Sequence, residues 1–298
     1  MNSNLTPTLI QIFNMRLSIQ TLRRYLFLIV VFILCVESAF TQQAPCIPVR
    51  DIPESVRSFD SGEKLTYVLG YTWGVIDTDV AQATLSLDKR SDDTGTWFYA
   101  KLLGNTYKFF DMFFKVRYDF EAKFSTTNGK PVYFSRDIIE GKYTKKNYLH
   151  FHPDNSILST VQRRSNPPRD TLLMGRECTF DLLSLIYFSR NIDLTDIVPG
   201  TVVPISFVID GMIYDIYFRY IGSEVKKIQR VGQFNTLKFG IKVVVGDVFK
   251  DTEELMLWIT NDKNRIPIFF ESPISVGKVS GRISKYENLK HPLVSKIK

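Results

Sequence analysis

The chain has 298 residues, a formal charge of +7, 44% apolar and 23% charged side chains, and three cysteines. These proportions exclude a disordered or fibrous protein, and the cysteine count is too low for a disulfide-stapled miniature scaffold. The aromatic share is high at 13%, and the Lys and Arg are scattered rather than striped, which argues against a nucleic-acid footprint.

From Met15 the chain reads as a basic start (Arg16, Arg23, Arg24), an apolar run from Tyr25 to Val36, and small and polar residues from Ser38 to Gln43. That order is a secretory signal peptide. Its apolar run of 12 residues falls short of the roughly 20 that a spanning helix needs. An uncleaved N-terminal anchor is the alternative. Cys35 and Cys46 follow Leu34 and Pro45, not the small residue that lipid attachment requires. We expect cleavage near Thr41–Gln42, which divides the chain into a removed segment 1–41, an N-terminal extension 42–60, a single β-rich domain 61–286 and a tail 287–298. Membrane association is then peripheral at most. Cys46 and Cys178 remain after cleavage. An oxidising compartment permits a bridge between them, and a free thiol plus a small buried residue is equally consistent.

Strand signals begin at Leu65, Tyr67, Leu69, Tyr71 and Trp73, which alternate with smaller or polar residues. The strongest lies at 114–124. Phe114, Val116, Tyr118, Phe120, Ala122 and Phe124 fall on one face, and Lys115, Arg117, Asp119, Glu121 and Lys123 on the other. A period of two means a strand with one buried and one wet face. Asn128-Gly129 and Asp210-Gly211 are hairpin signals, because these pairs tolerate positive φ. Residues 142–149 have no clean apolar face and read as an edge or hairpin arm in water, with a basic contact to anionic lipid or glycan as the alternative. Asn166-Pro167-Pro168-Arg169 is a loop. Thr179 to Asn191 breaks the period: Leu182, Leu183, Ile186 and Tyr187 stand at helical spacing, with Thr179 or Asp181 as cap. Tyr214 to Tyr220, Leu237 to Val245 and Leu255 to Ile259 resume the alternation. About a dozen strands and one main helix imply a mostly β protein, an antiparallel curved sheet or open β-barrel.

Gly62-Glu63-Lys64-Leu65-Thr66-Tyr67, Phe180-Asp181-Leu182-Leu183-Ser184 with Tyr187, Arg190 and Asn191, Tyr220 to Glu224, and Trp258 to Pro267 resemble the bacterial domain-of-unknown-function family 3108. The resemblance runs from about Ser61 to Ser284. It implies an exported envelope protein with a mostly β domain and supplies no catalytic residue. Thr260, Asn261 and Lys263 depart from the usual form of the last turn. Within that turn Asp262 and Asn264 can fold back as Asx turns, Pro267 fixes the start of the next strand, and Arg265 is free to pair with a carboxylate.

No Gly-x-Ser-x-Gly and no Gly-rich phosphate loop is present. His150 and His152, with Asp154, are the only metal candidates and read better as exposed side chains. Asp119 and Glu121 read as part of a solvated salt-bridge ladder. No cofactor is implied. The aromatic load allows two binding readings. In the first, Tyr67, Tyr71, Trp73, Phe114, Tyr118, Phe120, Phe124 and Tyr187 line an apolar cavity of about 300 Å³ or more, fit for a lipid or another apolar ligand. In the second, the core is filled and an exposed patch serves envelope assembly. A glycan-active enzyme, with two carboxyls about 5–10 Å apart across a cleft, ranks third.

Overall fold

The structure, a computed structural model, describes residues 46–244, 254–274 and 276–297. The expected export segment 1–41 and Val245 lie outside them. Antiparallel strands β1 (Lys64–Trp73), β2 (Ile76–Asp92), β3 (Gly95–Thr106), β4 (Val116–Ser125), β5 (Pro131–Glu140), β6 (Tyr143–Phe151), β7 (Ser156–Arg163) and β8 (Arg169–Met174) follow one another as neighbours. Short helices α1 (Lys108–Asp111) and α2 (Leu182–Ser189) interrupt the chain. Two-residue β9 (Thr179–Phe180) pairs parallel with β10 (Val202–Ile209). From there β11 (Met212–Ile228), β12 (Gly232–Val244), β13 (Leu255–Thr260), β14 (Pro267–Pro273) and β15 (Lys278–Glu287) return to pair β15 with β1. The result is one open, mostly antiparallel 15-stranded sheet with β8 at one edge and β9 at the other.

Alternation builds the core. Along β4, Phe120, Ala122 and Phe124 are buried, while Asp119 and Glu121 face solvent and share Lys101 of β3 at 3.2 and 2.6 Å. Phe124 packs on Phe98 and Tyr187 with ring centroids 5.6 Å apart, and Phe59 reaches Tyr187 at 4.8 Å. Each fully buried ring stabilises the fold by roughly 1.5–3 kcal/mol. Helix α2 is apolar all round and lies between two clusters. Leu183 and Tyr187 enter the first, with Phe98, Phe124 and Phe134; Leu185 and Phe188 enter the second, with Ile205, Phe218 and Phe239. It is shorter than the expected 179–191, because Thr179 and Phe180 join β10 and Asp181 caps the start.

Asp210 and Gly211 take φ of 57° and 80°, the geometry of a tight hairpin between β10 and β11. The tip of that hairpin packs on β5 and β6: Asp210 pairs with the Lys145 ammonium, lies 3.7 Å from Arg136, and donates its backbone N–H to Asn147 Oδ1 at 3.0 Å. Opposite regions of the sheet therefore meet through side chains rather than a ladder.

Three expectations are corrected. Residues 142–149 are not an edge arm: β6 is an inner strand between β5 and β7, and Lys145 and Asn147 are buried because they hold Asp210. Phe114 lies before the first residue of β4, so the alternation does not carry it inward. Along β1, register shifts at Thr66/Tyr67 and Leu69/Gly70 re-aim the side chains, and Trp73 ends in solvent.

Cys46 and Cys178 form a disulfide that spans 132 residues. The segment after Cys46 is pinned by Ile47 N–H to the Pro204 carbonyl and by Ile52 N–H to the Thr127 carbonyl. The C-terminal segment packs on β12 through Asn235 N–H to Ser295 and Ile297 N–H to Gln233. Among the described residues no helix is long and apolar enough to cross a membrane.

Candidate functional site

Three sequence motifs far apart in the chain converge on one buried ion pair. Glu63 precedes β1, Arg190 ends α2, and Asn264 sits in the β13–β14 turn. Arg190 donates to both Glu63 oxygens at 2.6 and 2.8 Å and to the Asn264 carbonyl at 2.9 Å, with both charged side chains essentially inaccessible. Burial opposes the Arg190 charge, but the Glu63 carboxylate outweighs it, and the guanidinium is held above its ordinary pKa. Ser58 Oγ donates to the Arg190 carbonyl at 2.7 Å, and Asn264 exchanges hydrogen bonds with the backbone of His291. The sequence motifs contained all three residues. Their mutual role was not readable, because an ion pair across 127 positions is a product of topology.

In the β13–β14 turn Asp262 Oδ1 accepts from Asn264 N–H at 3.0 Å and Arg265 N–H at 3.3 Å. Arg265, expected to meet a carboxylate, instead donates to the Ile192 and Arg190 carbonyls beyond α2, which the helix itself leaves without partners. Pro267 opens β14, and its carbonyl accepts from the Tyr67 hydroxyl at 2.9 Å. Asp181 accepts from the backbone N–H groups of Leu183 and Ser184 and from the Ser184 hydroxyl; burial raises its carboxyl to about 6.

The eight aromatics expected around a cavity do not gather in one place. Phe120, Phe124 and Tyr187 are buried in the packed interior. Tyr67 and Tyr118 pack against that cluster from its margin, and Tyr118 stacks on Phe120 at 5.5 Å. Burial raises the phenol pKa of both. Tyr71 reaches the Val276 carbonyl with its hydroxyl at 3.0 Å. Trp73 and Phe114 are more than half exposed. The apolar cleft beside Arg190, lined by Ile192, Leu194, Phe218, Phe239 and Ile259, holds about 30 Å³, room for a water or two. A larger open groove of about 560 Å³ runs over β1–β3; polar side chains such as Gln82, Thr84, Ser86 and Asn105 line it together with Leu103 and Tyr107.

Trp73 and Phe114 belong to a different surface. The β1–β2, β3–β4 and β14–β15 connections are neighbours at one end of the sheet: Ala81 pairs with Thr106, and Thr72 with Lys278. The first carries Trp73, Val75 and Ile76, the second Phe109, Met112, Phe113 and Phe114, the third Val276; all eight are at least 46% exposed. α1 buries none of its residues, and Phe109 packs edge-on against Phe110 and Phe113 rather than into the core. A large apolar side chain left in water marks a contact surface when it has such neighbours. The sequence shows the cluster, five large apolar residues between Lys108 and Lys115 with Phe109 and Phe113 at helical spacing, but not that it stays exposed.

Among the described residues no cluster of three His, Cys, Asp or Glu side chains is placed to hold a metal; His150 instead lies against Tyr133 at 5.1 Å. Asp119 and Glu121 share one lysine on the solvent side of β4 rather than facing one another across a cleft.

Residues 66–284 match the family model described as "Protein of unknown function (DUF3108)". The chain belongs to the DUF3108 family. Its sheet is similar to the crystal structure of a β-barrel-like protein of domain of unknown function DUF1849 from Brucella abortus, at 7% identity and a TM-score of 0.50, over 78% of this chain and 100% of that one. At that identity the likeness is one of fold. No curated protein matches the chain.

Proposed function

We propose that this DUF3108 protein is an exported binding module of the cell envelope that works through the apolar rim of its sheet, over a core filled by its own side chains. The observation that carries the reading is the rim itself: eight exposed apolar side chains on three adjacent connections. Leaving them in water opposes folding and solubility, so a covered state is the natural explanation. The packing of Phe59, Phe98, Phe124 and Tyr187 favours an outer surface over an interior cavity as the place of binding. Export is supported by the signal-like segment before residue 42 and by the Cys46–Cys178 disulfide, which suits an oxidising compartment.

The test is fractionation of cells that produce the full chain. The expected result is a processed, disulfide-bonded protein retained in the envelope fraction, with retention weakened by Phe109→Ser and Phe113→Ser together. An unprocessed protein in the cytosol, or retention that ignores the rim substitutions, overturns the reading. A tightly bound lipid in native mass spectra, kept by the rim variant, transfers support to the cavity reading.

A further inference from the structure

We infer that the rim docks peripherally on a bilayer surface rich in anionic phospholipid. The inference rests on the reading of the rim as the binding surface and names what covers it.

The composition of the patch is that of a membrane interface. Trp73, Phe109, Met112, Phe113 and Phe114 stand exposed beside lysines. Aromatic and large apolar side chains enter the boundary between headgroups and acyl chains, and flanking lysines reach the phosphates. The side chains sit on three connections at one end of the sheet rather than along a groove that would take a peptide or helix.

Charge complementarity selects the lipid. Lys108, Lys115 and Lys142 are exposed around the patch, and none has a carboxylate within ion-pair distance among the described residues. Most of the nearby acids have a cationic partner. Arg117 and Thr106 hydrogen bonds hold the Asp111 carboxyl at about 2; Asp79 is bound by Arg282 at 2.6 Å and Glu271 by Lys278 at 3.0 Å. Among the described residues Glu140 and Asp77 accept only from the hydroxyls of Tyr118 and Thr72 and keep their charge. Among the described residues the patch carries three unpaired lysines against these two carboxylates, a positive surplus that a negative headgroup layer answers.

Trp73 supplies the readout, since Trp97 is set at the far end of β3 and Trp258 is buried. The processed protein is mixed with phosphatidylcholine vesicles with and without phosphatidylglycerol. The expected result is partition to the phosphatidylglycerol vesicles, with a blue shift of the Trp73 emission and its quenching by bromine-labelled acyl chains; Trp73→Phe removes both signals. Phe109→Ser with Phe113→Ser abolishes partition while leaving the unfolding midpoint unchanged. Lys108→Gln weakens partition about fivefold, and moderate salt does the same for the parent protein. Absence of partition, or partition that survives both Phe substitutions without Trp73 quenching, overturns the inference. If envelope retention in cells still depends on the rim while vesicles do not bind, the occupant is a protein: this inference falls and the proposed function stands.

Discussion

Asp181 caps α2 and is buried in doing so. Its carboxyl rises from 3.8 to about 6, because burial penalises the charged form more than its hydrogen bonds to Leu183 and Ser184 favour it. A raised acid is held neutral by the fold, so its share of stability is complete below pH 4 and is lost as pH climbs through about 6; the gap amounts to up to about 3 kcal/mol. Asn keeps the acceptor oxygen and cannot ionise. We predict that the stability of Asp181→Asn relative to the parent, from urea unfolding at pH 4, 5, 6 and 7, improves steadily towards pH 7, and a flat difference refutes this. Tyr187 poses the opposite problem. Its hydroxyl is buried without a hydrogen-bond partner among the described residues, and burial drives its pKa well above the ordinary phenol value. Tyr187→Phe should raise stability by about 1 kcal/mol, since it removes a desolvated donor and keeps the ring contacts; a loss of that size would mean that the hydroxyl makes a bond after all. The cap at Asp181 was readable from the sequence, as was the Asx character of Asp262. What a string of residues could not show was burial: that Asp181 is dry, that Arg265 turns to backbone carbonyls, and that Phe109 and Phe113 stay wet.

At the level of elements, legibility followed the cleanness of the alternation. β4 has Phe120, Ala122 and Phe124 opposite Asp119 and Glu121, and one burial pattern satisfies all five. β1 has as many aromatics, but two register shifts move its side chains between faces, and such bulges leave no mark in the pattern of apolar residues. β6 failed for another reason. Its inward Lys145 and Asn147 are paid for by Asp210, sixty-odd residues away, and a polar residue whose partner is distant looks exposed. The disulfide was one of two readings of Cys46 and Cys178, since a contact across 132 residues depends on the register of β9 and β10. It ties the extended N-terminal segment to the start of β9, where Ser206 N–H also bonds the Cys178 carbonyl. A closed loop of that length restrains the unfolded chain, and its removal costs about 2–5 kcal/mol. Cys46→Ser with Cys178→Ser should lower the urea midpoint accordingly, and reductant should shift the parent protein to the same midpoint. A parent midpoint indifferent to reductant would show that the bridge is not formed in solution.

For the whole molecule the question is what turns a long open sheet into one cooperative body. Strand pairing alone does not, because each strand hydrogen-bonds only to its ladder neighbours and 15 of them could unzip from β8 or β9. The Glu63–Arg190 pair links what the ladder leaves separate: the segment around Ser58, the entrance to β1, the end of α2, the β13–β14 turn and, through Asn264, the C-terminal segment at His291. Two charges in this position do not make an intrinsically strong bond, since desolvation consumes most of their attraction; the strength lies in what remains when one is lost. Glu63→Gln leaves a buried guanidinium with two carbonyls and no counter-charge, at a cost of about 3–5 kcal/mol. Leucine at both positions removes the charges together but orphans the Asn264 and Ser58 carbonyls, so the double variant should sit between the parent and Glu63→Gln. If the pair is the common tie, the parent unfolds in one transition, with tryptophan emission and far-ultraviolet circular dichroism moving together, and in Glu63→Gln the two signals separate. A change below about 1 kcal/mol, or a Glu63→Gln variant that still unfolds in one transition, would place cooperativity in the two apolar clusters around α2 instead.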